Sequence, residues 1–262
     1  MINRHRNFGL TLTEMAVVVA IAAVMVALTI PTVNMLLNSF ESESGAKTII
    51  NAAMASARAI AAKEHRYAGI RFQKRYDPDN LANPSQYIIF IIYDYDRTSL
   101  ENGFRAVEGI QPIKLPDSIG VMDLYEDDRP INLDFQINDA NEVNDTTTFS
   151  IIFSPMGKLA FHDVQTRNRN GVYQPDNSIP NKTSMDDIFN SPWNITYYQV
   201  GMFVQDDYPL LGLTKEAGRN SFYIYETKRF NQTNTNLRWT KYLSKLKPVY
   251  INPYTGTIVD EK

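Results

Sequence analysis

The first 31 residues, MINRHRNFGLTLTEMAVVVAIAAVMVALTIP, constrain the chain more than any other stretch. A short basic leader runs to Gly9. Leu10-Thr11-Leu12-Thr13-Glu14 follows, then an apolar run from Met15 to Ile30 broken only by Thr29, then Pro31. A helix of about 20 apolar residues spans a bilayer core, so this run predicts a membrane-spanning helix over residues 10–37. Leu10 to Leu37 carries one charge, Glu14, at its start. A carboxylate beside hydrocarbon is expensive and is retained where it is paired and functional.

Three readings compete for this stretch. An ordinary secretory signal places its small-residue cleavage site after the apolar core. Here Gly9 precedes the run, and a cut at Ala20–Ala22 would bisect it. A plain membrane anchor, oriented by Arg4 and Arg6 with its N-terminus inside, leaves Glu14 unexplained. The third reading accounts for every feature. Gly9-Leu10-Thr11-Leu12-Thr13-Glu14, with Pro31 downstream, resembles the processing site of type IV prepilins and type II secretion pseudopilins. The resemblance is close over residues 1–35, with Leu10 standing where an aromatic residue is usual. It implies that a prepilin peptidase cuts between Gly9 and Leu10 and that Leu10 is then N-methylated. It also implies that Glu14 meets a neighbouring subunit's α-amine during filament assembly, and that Pro31 kinks the helix.

Composition bounds the remainder. Roughly 220 residues remain beyond the membrane segment, enough for a sizeable core. The 15 Tyr and 13 Phe suit sheet faces. The absence of cysteine excludes disulfides, thiolate metal sites and cysteine nucleophiles, and three histidines argue against a histidine-rich metal site. Loss of the leader would leave 24 basic against 29 acidic residues, a net charge of −5 from an initial −3. An acidic chain offers nucleic acid no global attraction.

Behind the polar stretch Asn38–Gly45, Ala46, Ile49, Ile50, Ala53, Ala57, Ile60 and Ala61 follow the spacing of one apolar helix face. The expectation is one long rod, its first half apolar and its second half packed on a head. Tyr87–Tyr93 is a continuous apolar run and predicts a buried strand. Further strands are expected over 67–74, 109–115, 131–137, 147–153, 158–164, 197–204, 222–225 and 249–259. Ser154-Pro155-Met156-Gly157 reads as a hairpin turn. Residues 166–192 read as a long loop with one helical turn near Met185–Phe189, and Leu237–Leu246 as a helix. The expected fold class is α+β: a long N-terminal transmembrane helix on an antiparallel β head, as in pilins. The expected divisions are leader 1–9, membrane or filament-core helix 10–37, amphipathic helix 38–66 and exterior head 67–262.

Within the family, Ala57-Arg58-Ala59-Ile60-Ala61, Leu115-Pro116-Asp117 and Phe153-Ser154-Pro155-Met156-Gly157 are similar to features of the H-type minor pseudopilins (the GspH/FimT group). The resemblance implies a non-enzymatic minor subunit of a type II secretion pseudopilus, without cofactor or metal. Its partners would be the prepilin peptidase, other pilins and an inner-membrane assembly platform. Its place would be the inner membrane, single-pass with the N-terminus cytoplasmic and the head periplasmic, and then the filament. The alternative is a minor type IV pilus subunit in pilus priming or DNA uptake, with Arg71, Lys74 and Arg75, or Lys241, Lys245 and Lys247, as a nucleic-acid patch. The acids of 123–145 could supply oxygens to calcium but lack the regular calcium-loop spacing. His162-Asp163 would point to opposite faces of a strand, which leaves no catalytic pair.

Overall fold

Ser42 starts the long helix of the computed structural model, which describes residues 15–19, 42–77, 84–98, 100–124, 143, 146–166, 188–204 and 216–259. The backbone of Ser42 is extended, and its hydroxyl accepts the Gly45 N–H at 3.3 Å. This satisfies one of the donors that every helix start leaves without an internal partner. The helix, α1 (Glu43–Glu64), ends at His65, whose left-handed backbone (φ 51°) returns its N–H to the Ala61 carbonyl. Its buried face is Gly45, Ala46, Ile50, Ala53, Met54, Ala57 and Ala61; of the residues expected on that face, Ile49 and Ile60 lie at its margin and are only half-buried.

Two expectations are corrected here. The described helix is not the second half of a continuous rod, because Ser42 gives it a start of its own. Among the described residues no helix is long and apolar enough to cross a membrane. That finding overturns the expected transmembrane helix, the membrane assignment and the single-pass inner-membrane placement. The physical reason in α1 is that the turns away from the core carry Glu43, Lys47, Lys63 and Glu64. Of segment 10–37 only Met15–Val19 is described, as helix with exposed side chains.

From α1 the chain runs through β1 (Ala68–Lys74), β2 (Gln86–Tyr93), the single-turn α2 (Tyr95–Thr98), β3 (Gly103–Ala106), β4 (Ile113–Lys114) and β5 (Ile119–Met122). Next come β6 (Phe149–Phe153), β7 (Leu159–Ala160), β8 (Asp163–Thr166), β9 (Phe189–Asn190), α3 (Pro192–Tyr198) and β10 (Phe203–Val204). Last are β11 (Glu216–Ala217), β12 (Ser221–Glu226), α4 (Thr227–Gln232), α5 (Arg238–Lys241), β13 (Pro248–Ile251) and β14 (Ile258–Val259). Short 3₁₀ turns, Thr235–Leu237 and Leu243–Lys245, flank α5.

The larger sheet has eight strands in the order β11-β8-β3-β2-β1-β6-β7, with β4 pairing β2 off that path. It curls into a half-barrel: Arg219, just past β11, donates its N–H to the Ser150 carbonyl on β6 at 2.8 Å. Strand alternation sends each strand's residues to two different cores. Ile70, Phe72, Ile88, Phe90, Ile92, Phe149, Ile151 and Phe153 face α1 and a second sheet of order β14-β13-β12-β5. Ile89, Ile91, Phe104, Ile152 and Val164 fill the inside of the curl with Phe189 and Phe203. The apolar run of β2 is therefore buried on both faces. Burying each such side chain contributes about 1.5–3 kcal/mol.

The antiparallel head is corrected to a mixed one, because β3 pairs parallel with β8 in the larger sheet and β9 with β10 form a separate parallel pair. Alternation decides which face a residue takes, not which strand lies beside it. Locally, the expected strand over 197–204 begins as helix α3. Ser191 accepts the Asn194 N–H, Pro192 occupies the first turn and Gln199 closes the helix in the left-handed region. The 109–115 strand shrinks to β4, 158–164 splits into β7 and β8, and 237–246 folds as 3₁₀ and α fragments. Phe189 is in a strand rather than a helical turn. The 131–137 strand lies outside the described residues.

One side chain joins the two sheets. The buried Gln86 amide donates to the Val121 carbonyl at 2.7 Å and accepts the Val121 N–H at 2.8 Å, and also donates to the Thr147 carbonyl at 2.8 Å. It occupies the free edge of β5 as a one-residue strand would.

Candidate functional site

Gly9, Leu10, Glu14 and Pro31 lie outside the described residues. Two of the three internal features that resemble the H-type group do meet. Arg58 projects from α1, and its Nε donates to the Gly157 carbonyl at 2.9 Å while Nη1 donates to the Thr255 carbonyl. One guanidinium thus holds the β6–β7 turn and the β13–β14 turn against the helix. The first turn forms because Gly157 takes φ +73° and returns its N–H to Ser154 at 2.7 Å. In the second turn a Cβ on Gly256 would lie 2.6 Å from Arg58 Cδ and 2.8 Å from Phe153 Cε1. The seam therefore requires glycine at that position. The third feature lies elsewhere: Leu115 is buried, and Asp117 accepts from Lys114 Nζ at 2.8 Å and Ser85 Oγ at 3.0 Å. Arg58→Ala is expected to cost about 1–2 kcal/mol and to free both turns. The checks are a lower urea midpoint and faster proteolysis near residues 154–157 and 252–256.

Two ion-pair sites hold the half-barrel. Arg71, only 1 % exposed, crosses its interior from β1 and meets the Glu216 carboxylate on β11 at 2.9 and 3.3 Å. Gln73 Oε1 at 3.0 Å and Ser150 Oγ at 3.3 Å accept from it as well. Asp94, after β2, accepts from Arg105 Nε at 2.6 Å and from the Arg97 N–H at 3.3 Å, with Arg66 3.4 Å away. Burial alone would raise the Asp94 carboxyl. The Arg105 hydrogen bond and charge, the Arg97 N–H and Arg66 outweigh it and hold the pKa below the usual carboxylate value. A depressed folded-state pKa contributes stability that is fully present above the unfolded pKa of about 4 and is lost as pH falls through the folded value. Asp94→Asn is therefore expected to flatten the acid limb of stability below about pH 4, read as urea midpoints from pH 2 to 7.

The rival sites are redistributed. Arg71 is buried and ion-paired and Lys74 is largely covered, which leaves Arg75, just past β1, as the exposed member of that trio. Lys241, Lys245 and Lys247 are exposed. They belong to the stretch 227–247, which contains six basic residues and no acidic one. Asp123 pairs with Arg219. The other acids of the 123–145 region lie outside the described residues. Among the described residues no cluster of three or more histidines or acids could hold a metal ion. His162 packs its ring 4.5 Å from Tyr67 and 5.5 Å from Phe104, and its Nδ1 lies 2.6 Å from the Asp163 backbone carbonyl, not its carboxylate.

Sequence reasoning missed that Thr255 shares Arg58 with Gly157, and it placed Arg71 and Lys74 outside. Asn252-Pro253-Tyr254-Thr255-Gly256 was the available signal for the turn; its partner 197 residues away left none. No protein-family profile, curated protein or solved structure matches the chain.

Proposed function

We propose that the chain is a minor pilin-like subunit of a type II secretion pseudopilus. Prepilin peptidase removes residues 1–9, Leu10 is N-methylated, and the mature chain joins other pilin-like subunits at an assembly platform that drives protein export. The spacing of Gly9, Leu10 and Glu14 carries this reading. The contact between Arg58 and Gly157 supports it, because it joins two separate stretches that resemble the H-type group. The subunit acts by contact and not by catalysis.

Co-expression with a prepilin peptidase tests it. The expected product lacks nine residues and begins with a methylated Leu10, read by intact mass and N-terminal sequencing. An uncut chain beside a cleaved control prepilin would sink the proposal.

The exposed lysines of 227–247 favour a second reading, a minor pilus subunit that contacts DNA during uptake. Gel shifts with the full chain would then weaken steeply between about 50 and 200 mM salt. Absence of a shift at the lower salt removes this reading.

A further inference from the structure

We infer that the cavity between the end of β1 and the β5–β12 edge binds a small molecule through an oxyanion group, phosphate or carboxylate, held by Lys74. The cavity measures about 290 Å³ and is lined by Lys74, Asp117, Gly120, Tyr225 and Thr227 among others. That volume is at the low end of small-ligand pockets. This inference does not rest on the assembly reading above.

The lining is unusual in what it leaves unanswered. Lys74 makes no hydrogen bond or ion pair among the described residues, although burial and then the Arg238 charge pull its ammonium down to about 8. A desolvated cation with no counter-charge costs stability, so an anion entering beside it recovers that cost. Tyr225 is 3 % exposed, and its hydroxyl has no hydrogen-bond partner among the described residues. Burial raises its pKa, so the phenol stays protonated and keeps a proton to donate. Its ring end sits over Gly120, where an added Cβ would lie 2.1 Å from Cζ and 2.4 Å from the hydroxyl oxygen. Only glycine there lets the phenol reach this wall.

The remaining charges favour the same occupant. Arg238 also acts on Tyr225, so two cations influence the cavity. The one acid of the wall, Asp117, is turned to Lys114 and Ser85. Thr227 uses its N–H on the Ser118 carbonyl at 2.9 Å, and its hydroxyl has no hydrogen-bond partner among the described residues. An ammonium and two hydroxyl donors without acceptors match the several lone pairs of an oxyanion.

Sulfate, whose charge is constant over the range, is the first probe, with phosphate and acetate as further arms at fixed ionic strength. Wild-type full-length chain is expected to show a saturable rise in melting temperature and saturable heat on titration at pH 6.5. Sulfate affinity should fall as pH rises past 8, when Lys74 loses its proton. Lys74→Met should weaken binding at least about tenfold, the loss expected for a charged hydrogen bond. Because it removes a desolvated cation, that variant should be no less stable than wild type without ligand. Tyr225→Phe should weaken binding less, and Lys245→Met, on an exposed site, should leave it unchanged. Phosphate binding without acetate binding assigns the site to phosphate groups, and the reverse assigns it to carboxylates. Equal effects on wild type and Lys74→Met, or no saturable effect in any arm, would overturn the inference.

Discussion

Glu14→Ala is expected to leave cleavage between Gly9 and Leu10 intact and to bring incorporation into a filament to background. On the proposed function, cleavage would create a new α-amine at Leu10, and methylation would leave its charge in place. Glu14 is followed directly by the apolar run Met15–Ile30. Where such runs pack together, an isolated carboxylate costs several kcal/mol unless a cation neutralises it. In the proposed filament, a neighbouring subunit's amine would be that cation. The paired state then admits only one axial offset between subunits, which makes the acid a register device as well as a charge. The measurement is the amount of processed subunit in sheared filaments, with Glu14→Asp as the conservative control. Normal incorporation of the alanine variant would remove Glu14 from the assembly role and weaken the proposed function with it.

Glu216→Ala is the second large effect, at about 3 kcal/mol of lost stability. Breaking a buried pair from one side typically costs about 3–5 kcal/mol, because the remaining charge has no compensation. The loss here lies at the lower end, since the Glu216 side chain is 27 % exposed and water can enter from its side. Among its partners, the Gln73 and Ser150 acceptors that remain are neutral. The asymmetry is the sharper test. Arg71→Met added to Glu216→Ala should recover a large part of the loss, since the double variant strands no charge and refills the volume. Urea unfolding with an unchanged slope would read both. A Glu216→Ala midpoint equal to wild type would show that the ion pair does not hold the curl closed.

What could be read from the sequence was what local periodicity encodes. The helix face of Ala46, Ile50, Ala53, Ala57 and Ala61 and the strands β1, β2, β6 and β12 were legible because spacing alone decides which side of an element is apolar. The parallel β3–β8 pairing was not, because it sets Gly103 beside Gln165, far away along the chain, and no local pattern encodes such a partner. Arg71 was misread as an outward residue since it alternates with Ile70 and Phe72. The continuous apolar run of β2 held the correction: a strand covered on both faces implies that its neighbour is covered on both faces too, which puts Arg71 inside. Helix α3 was missed although Ser191-Pro192 is a start signal, because the aromatic run behind it resembles a strand. The meeting of Arg58 with Gly157 spans 99 residues, and no local rule predicts such a pairing.

Gln86 has a consequence for how the two sheets come apart. Each sheet could in principle open by itself, as a separate cooperative unit with its own free energy. The Gln86 amide removes that independence, since opening the β5 edge strips both hydrogen bonds from Val121 and leaves the buried amide with its Thr147 bond and an unanswered carbonyl oxygen. The Val121 amide proton should accordingly exchange with solvent as slowly as those in β1 and β2, although it points away from β12 to the strandless edge of β5. Gln86→Ala should uncouple the two timescales, letting the four-stranded sheet exchange early while the half-barrel keeps its protection.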